Sequence, residues 1–431
     1  MRWIGSREPR TLLVAGWIVF VLSSYPGYLD LEATLQLFRV RTGEWSDQAT
    51  LMAMLWSTLE YVAAGPFPML VVQSGLFLFG LAAILRTLLA PGRERACAVT
   101  AAGVLLFPPV FAVMAVISPD ALLAGLLVAG TAAILDGRRG WRVFGGALFV
   151  IACSCRPEIT PALVPLALLV VTKWSGWRRV VVASAITIGV AGVARVAELA
   201  LTSNQTYAWR QRVMMTDVVG TLRRAKVTDE SALRSALVGL PLAPTGSLSA
   251  RMAANNDALR WWPLITGDNQ IFEPITTDDQ AAALTESWFR VISGHPGAYV
   301  AHRWAMTRAI LGIGSGVVLY DDFGDPALMA PLHHRATASD WQYGMQRFVR
   351  LVAKTPVFRP WLYLALAIPA LLLSRRKRVL QALLASGLIY ELMLLVFAAA
   401  PEHRYSHWLV ATVCIALAAA GTERIVRPRA A

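Results

Sequence analysis

Apolar runs alternate with short polar connections along most of the chain. They fall at 11–25, 67–88, 96–116, 121–136, 143–155, 159–172, 180–200, 361–374, 379–399 and 407–421. A bilayer core about 30 Å thick takes about 20 apolar residues as a helix. The pattern predicts an all-α polytopic membrane protein with about ten transmembrane helices, several of them completed by flanking residues. Two apolar stretches are read differently. The run 304–320 is interrupted by glycines, and together with 51–62 it is expected to be interfacial or re-entrant. The predicted organisation is an N-terminal transmembrane region (1–200) with an acidic first external loop (26–66), an external helical domain with an interfacial segment (201–360), and C-terminal transmembrane helices (361–431).

Composition agrees with this reading. Hydrophobic residues make up 56% and charged residues 16% of the 431, against about 25% charged in soluble domains. The mean hydropathy is +0.53. A net charge of +13 would suggest nucleic acid in a soluble protein. Here the arginines sit in short loops between apolar runs, so they report topology and nucleic acid is excluded. The clusters Arg2/Arg7/Arg10, Arg93/Arg95, Arg138/Arg139/Arg142, Lys173/Arg178/Arg179, Arg375–Arg378 and Arg424/Arg427/Arg429 all fall on one side if there are ten crossings. That side is the cytoplasm, with both termini there and the chain multi-pass in a bacterial inner (plasma) membrane. The first run follows "MRWIGSREPR" without a small-x-small cleavage site and is read as an uncleaved span. Cys97, Cys153, Cys155 and Cys414 lie in or beside apolar runs and indicate no disulfide framework.

Candidate chemistry begins in "PGYLDLEATLQ" (26–36). Leu31, Leu35 and Phe38 share one face of a short surface helix. Asp30 can be its N-cap and Glu32 a favourable first-turn anion. The same carboxylates stand where a lipid-borne substrate meets an aqueous acceptor, as a general base must. Gln36, four residues on, shares the face of Glu32. In 201–360, "TDDQAAALTESWFRVISG" with Thr277 as N-cap and "AYVAHRWAMTRAIL" read as helices. The cations expected on the outer side are Arg156 (beside Glu158), His302, Arg303, His403 and Arg404. Arg404 runs against the positive-inside tendency. Asp120 in "SPD" is an N-cap or a cavity residue, and Glu391, inside a late run, is a packing contact. Asp321/Asp322/Asp325 and His333–Arg335 with Asp340 are read as solvated loop surface rather than metal sites, and the sequon at Asn204 carries no weight. No metal or other cofactor is expected.

The stretch "SYPGYLDLEATLQLFRVRTGEWSDQATLMAMLW" resembles the first external loop of GT-C-type membrane glycosyltransferases, the superfamily of protein O-mannosyltransferases and aminoarabinose transferases. "PEHRYSHW" (401–408) is similar to that superfamily's late Arg-Tyr motif. The resemblance implies a GT-C-like bundle and transfer of a sugar from a polyprenyl-phosphate carrier to a glycan, lipid or protein acceptor among membrane lipids. It puts Glu32 at the catalytic acid, with Asp30 as alternative, and Asp47 at the second acid. Arg404 and Tyr405, with His403, Arg303 and Arg156, become candidates for the lipid phosphate. Where the superfamily has His-Pro-Pro this chain has Ala49, Thr50 and Leu51, a departure that fits a changed acceptor or a catalytically silent relative. A lipid or glycan transporter or flippase is the competing class; it would place more ionisable residues near the midplane.

Overall fold

The computed structural model describes residues 7–43, 49–202, 208–244, 246–255, 259–314, 316, 318–323 and 337–426. Among these the protein is all-helical, with isolated β-bridges and no strand. Its helices are α1 (Arg7–Ser24), α2 (Leu31–Thr42), α3 (Thr50–Glu60), α4 (Phe67–Leu88), α5 (Glu94–Leu106), α6 (Pro108–Met114), α7 (Pro119–Leu135), α8 (Arg139–Cys155), α9 (Val164–Ala167), α10 (Gly176–Leu201), α11 (Ala208–Arg224), α12 (Glu230–Ala236), α13 (Leu248–Ala254), α14 (Trp262–Ile265), α15 (Asp278–Gly294), α16 (Pro296–Ile310), α17 (Asp340–Ala353), α18 (Pro360–Leu373), α19 (Arg378–Phe397) and α20 (His407–Val426).

Four segments are long and apolar enough to cross a membrane: α4, α10, α19 and His403–Arg424. At 1.5 Å per residue the 22 residues of α4 reach about 33 Å, a bilayer core with slight tilt. A fifth crossing results if α5 and α6, bent by 70° at Phe107, count as one. The bend is local chemistry, because Pro108 and Pro109 withhold the amides that would continue α5. Prolines likewise break the expected run 159–172 into a 3₁₀ helix (Pro157–Leu163) and the single turn of α9. The bundle packs through small residues. A Cβ on Gly125 would lie 2.6 Å from the Gln73 carbonyl of α4, and one on Gly80 2.8 Å from the backbone of Ala129.

The run 304–320 does not form one helix. α16 ends at Ile310, and Gly312 and Gly314 turn the chain with φ of +72° and +79°, a region glycine enters at little cost. The chain then returns so that the amide of Leu29 donates to the Asp322 carbonyl (2.9 Å). Tyr28 pairs with the 115–117 loop through two backbone bonds of 2.9 and 2.8 Å. The acidic loop is therefore fixed from two sides before α2 begins.

The segment 201–360 divides in two. Residues 214–291 build a core of their own around Val218, Leu222, Leu248, Phe272 and Leu284. Met306 and Ile310 of α16 and Val349 and Ala353 of α17 instead join the core of the bundle. On α17, Trp341, Phe348 and Leu351 form an exposed stripe at helical spacing. The helix is tied to the top of α1 by Trp341 Nε1 donating to Ser23 Oγ (2.9 Å).

α11 meets α16 at Gly220, where a Cβ would sit 2.1 Å from Nδ1 of the fully buried His302. Gly220→Ala is therefore expected to cost about 1–3 kcal/mol by overpacking, read as a lowered Tm of the detergent-solubilised chain.

Candidate functional site

α2 begins at Asp30 because its Oδ1 accepts the amide of Ala33 (2.7 Å), relieving a free helix-end donor. That capping sets the first turn, and Glu32 points into a cavity of about 510 Å³ between the bundle and the external unit. Arg404 enters from the opposite end of the sequence, in a 3₁₀ turn (His403–Ser406) leading into α20. Its guanidinium, 5% exposed, donates to Asp30 Oδ2, to Glu32 Oε2 (3.0 Å) and to Glu402, and Asp120 lies 3.8 Å away. Arg156 forms a two-pronged pair with Asp120 (2.9 and 2.8 Å) and lies 4.7 Å from the ring centre of Tyr405. Arg212 reaches to 3.7 Å of Glu32 Oε1 and stacks on Trp261 (3.9 Å).

The two acids of the loop differ in kind. Both Asp30 oxygens are engaged and its side chain is 3% exposed, whereas Glu32 keeps 18% exposure toward the cavity. Burial pushes the Asp30 carboxyl up to about 6 against the pull of Arg404, with Glu32 and Glu402 adding like charge. Burial works the same way on Glu32, but Arg404, Arg156 and Arg212 together outweigh it and hold that carboxyl below its usual range. At neutral pH Glu32 is an ionised, reachable acceptor of a proton. Asp30 is a positioning residue that seats both α2 and Arg404.

The cavity lining is mixed. Ala191 and Ala194 of α10 and Leu394 and Phe397 of α19 give it apolar surface, beside Arg195 and Glu198 of α10. The 208–263 segment contributes Arg210, Arg212, Arg260, Trp261 and Trp262.

Glu32, Asp30, Arg404, Tyr405 and Arg156 are thus brought to one cavity. Asp47, Asp325, His333–Arg335 and Asn204 lie outside the described residues. Arg303 and His302 do not face the cavity or a headgroup layer. The turn of α16 that exposes Trp304 buries both, and Arg303 bonds Asp217 (2.7 Å) and the Ala398 carbonyl (2.7 Å). Burial depresses His302 to about 3, so it stays neutral beside Asp217. His403 is also turned away, toward Phe358 (6.5 Å between ring centres). Arg156 pairs with Asp120 rather than Glu158, and Gln36 donates to the Ala49 carbonyl (3.4 Å) rather than sharing the cavity with Glu32. Glu391 accepts from Ser406 (2.9 Å). Asp321 is paired with Arg350 (2.5 and 3.0 Å).

Sequence reasoning missed Glu402, Arg212, Arg210, Arg260, Tyr320 and the two tryptophans. Glu402 carried a signal, standing two residues from Arg404; the others are joined to Glu32 only through the fold. Comparisons with protein families, curated proteins and solved structures return no match for this chain.

Proposed function

We propose that the protein is an inverting membrane glycosyltransferase that moves a sugar from a polyprenyl-phosphate carrier to an acceptor at the outer face of a bacterial inner membrane. The observation that carries this reading is the meeting of Glu32 with Arg404, 372 residues apart, in the lining of a cavity that offers both apolar surface and a cluster of arginines. The resemblance of 24–56 and 401–408 to GT-C enzymes supports it from the sequence.

In the proposed reaction an acceptor hydroxyl gives its proton to a Glu32 oxygen while its own oxygen attacks the anomeric carbon. The carbon–oxygen bond to the carrier breaks on the opposite face, and polyprenyl phosphate leaves with the electron pair. The guanidiniums of Arg404 and Arg156, beside Glu32, stabilise the charge that gathers on the phosphate. The prenyl chain lies along α10 and α19. The topology proposed with this function has about ten crossings and both termini in the cytoplasm. It adds α1, α7, α8, the 157–167 segment and α18 to the long helices and counts α5–α6 once.

The test is transfer of label from a polyprenyl-phosphate sugar to membrane acceptors by the full chain in nanodiscs. Absence of transfer from every such donor overturns the reading. Asp30→Asn separates the two carboxylates. Asn caps a helix as well as Asp does, so transfer at pH 7.5 should stay within about tenfold of wild type, a barrier change of about 1.4 kcal/mol. A larger loss would make Asp30 the base.

A further inference from the structure

Charge is divided unevenly across the cavity. At its inner end four carboxylates (Asp30, Glu32, Asp120, Glu402) surround the guanidiniums of Arg156 and Arg404. Those two arginines share their charge with acids already present, and Arg212 leans on the same group. The external wall is the opposite. Arg210 and Arg260 are exposed cavity-lining residues, and among the described residues neither has an acidic partner. The same lining carries an aromatic step. Trp261 is covered on a face by Arg212, and Trp262, 37% exposed, stands edge-on to it at 5.2 Å and 86°.

We infer that this wall is a seat for an anionic sugar, a glycan residue carrying phosphate. The apolar C–H face of a pyranose packs on an indole ring. The phosphate meets two unengaged guanidiniums whose planar forks match its oxygens. The seat belongs to the acceptor rather than to the carrier. The apolar residues of α10 and α19, where a prenyl chain would lie, are a separate part of the lining, and Arg212 joins Glu32 to the tryptophan step, within reach of an acceptor's proton. Assigning the seat to the acceptor rests on the transferase reading above; the seat itself does not.

Binding without turnover tests it. The full chain in neutral-lipid nanodiscs is titrated with a hexose 1-phosphate, the same neutral hexose, inorganic phosphate and a polyprenyl monophosphate, followed by saturation-transfer NMR for the soluble probes and by competition for the lipid. Wild type should bind the hexose 1-phosphate better than either the neutral hexose or inorganic phosphate. Arg210→Ala/Arg260→Ala, at exposed positions, should weaken it by about tenfold or more with polyprenyl phosphate unaffected, and Trp262→Ala should weaken both hexoses. Loss of polyprenyl phosphate in the arginine variant would make the wall the carrier's phosphate seat and overturn the assignment. Equal binding of neutral and anionic hexose, or a variant indistinguishable from wild type, would overturn the seat itself. Binding that survives in a chain with no transfer activity keeps the seat and removes the transferase reading.

Discussion

Glu32→Gln is expected to lower sugar transfer by about 10²–10⁴-fold, the usual contribution of a positioned general base, with the folded chain recovered in normal yield. The amide still accepts from Arg404, and Arg404 still holds Asp30 and Glu402, so no buried guanidinium is left bare. Only the ability to take a proton is lost. Wild-type pH dependence adds a second signature. Because three arginines hold Glu32 below its usual range, it stays ionised well into the acid region. The acid limb then belongs to Asp30, raised to about 6 by burial. As pH falls through that value Asp30 takes up a proton, and the charge of Arg404 falls more heavily on Glu32, weakening it as a base. Transfer should therefore be level above about pH 7 and decline below pH 6, and Asp30→Asn should flatten that decline. An acid limb near pH 4 in wild type would remove Asp30 from control of the profile, and full activity in Glu32→Gln would remove Glu32 from the role of base.

What could be read along the chain was local. The long helices α4, α10, α19 and His403–Arg424 follow from runs of apolar residues, whereas the runs 96–116 and 159–172, read as single spans, are broken near Pro108, Pro161 and Pro165, where an amide is missing. Asp30 as an N-cap is legible from the residue before an amphipathic run, and the structure gives it that hydrogen bond. Arg404 stood out as an arginine in a short outer turn of the expected topology, against the positive-inside tendency. The facing of Arg303 was not legible, because apolar and polar residues are spread around α16 and no stripe declares which side is covered. His403 and Arg404 are neighbours in a 3₁₀ turn, which sends successive side chains to different sides; nothing in the order of letters says which enters the cavity. The external arginines lie in a segment of mixed charge and without period, and only long-range packing gathers Arg210 and Arg260 to one wall. The division of 201–360 is also tertiary: α16 and α17 serve the bundle's core although they follow the external unit in sequence.

Removing the cation at the centre should be the most damaging single change to stability. In Arg404→Ala, Asp30 loses the partner of a side chain 3% exposed, and Glu32 and Glu402 lose theirs at 18% and 20%. Breaking a buried pair from one side typically costs about 3–5 kcal/mol, because the remaining charge is desolvated without compensation. The variant should unfold at markedly lower temperature in detergent, and the deficit should depend on pH with a definite sign. Without Arg404 the folded-state value of Asp30 rises further above its unfolded value near 4, and Glu32 loses the foremost of the cations that hold it down. An acid whose value is raised on folding makes the folded state bind protons more readily than the unfolded one, so stability falls as pH rises between the two values. The deficit relative to wild type should be fullest at pH 8 and shrink as pH drops toward 5, where the orphaned Asp30 carboxyl protonates. Arg404→Lys returns one charge but not the fork that spans three carboxylates, and it should recover part of the stability while leaving Glu32 less firmly placed. A deficit that stays the same from pH 8 to pH 5 would mean that Arg404 supports the fold by packing against Tyr320 and Tyr405 and not by holding the acids together.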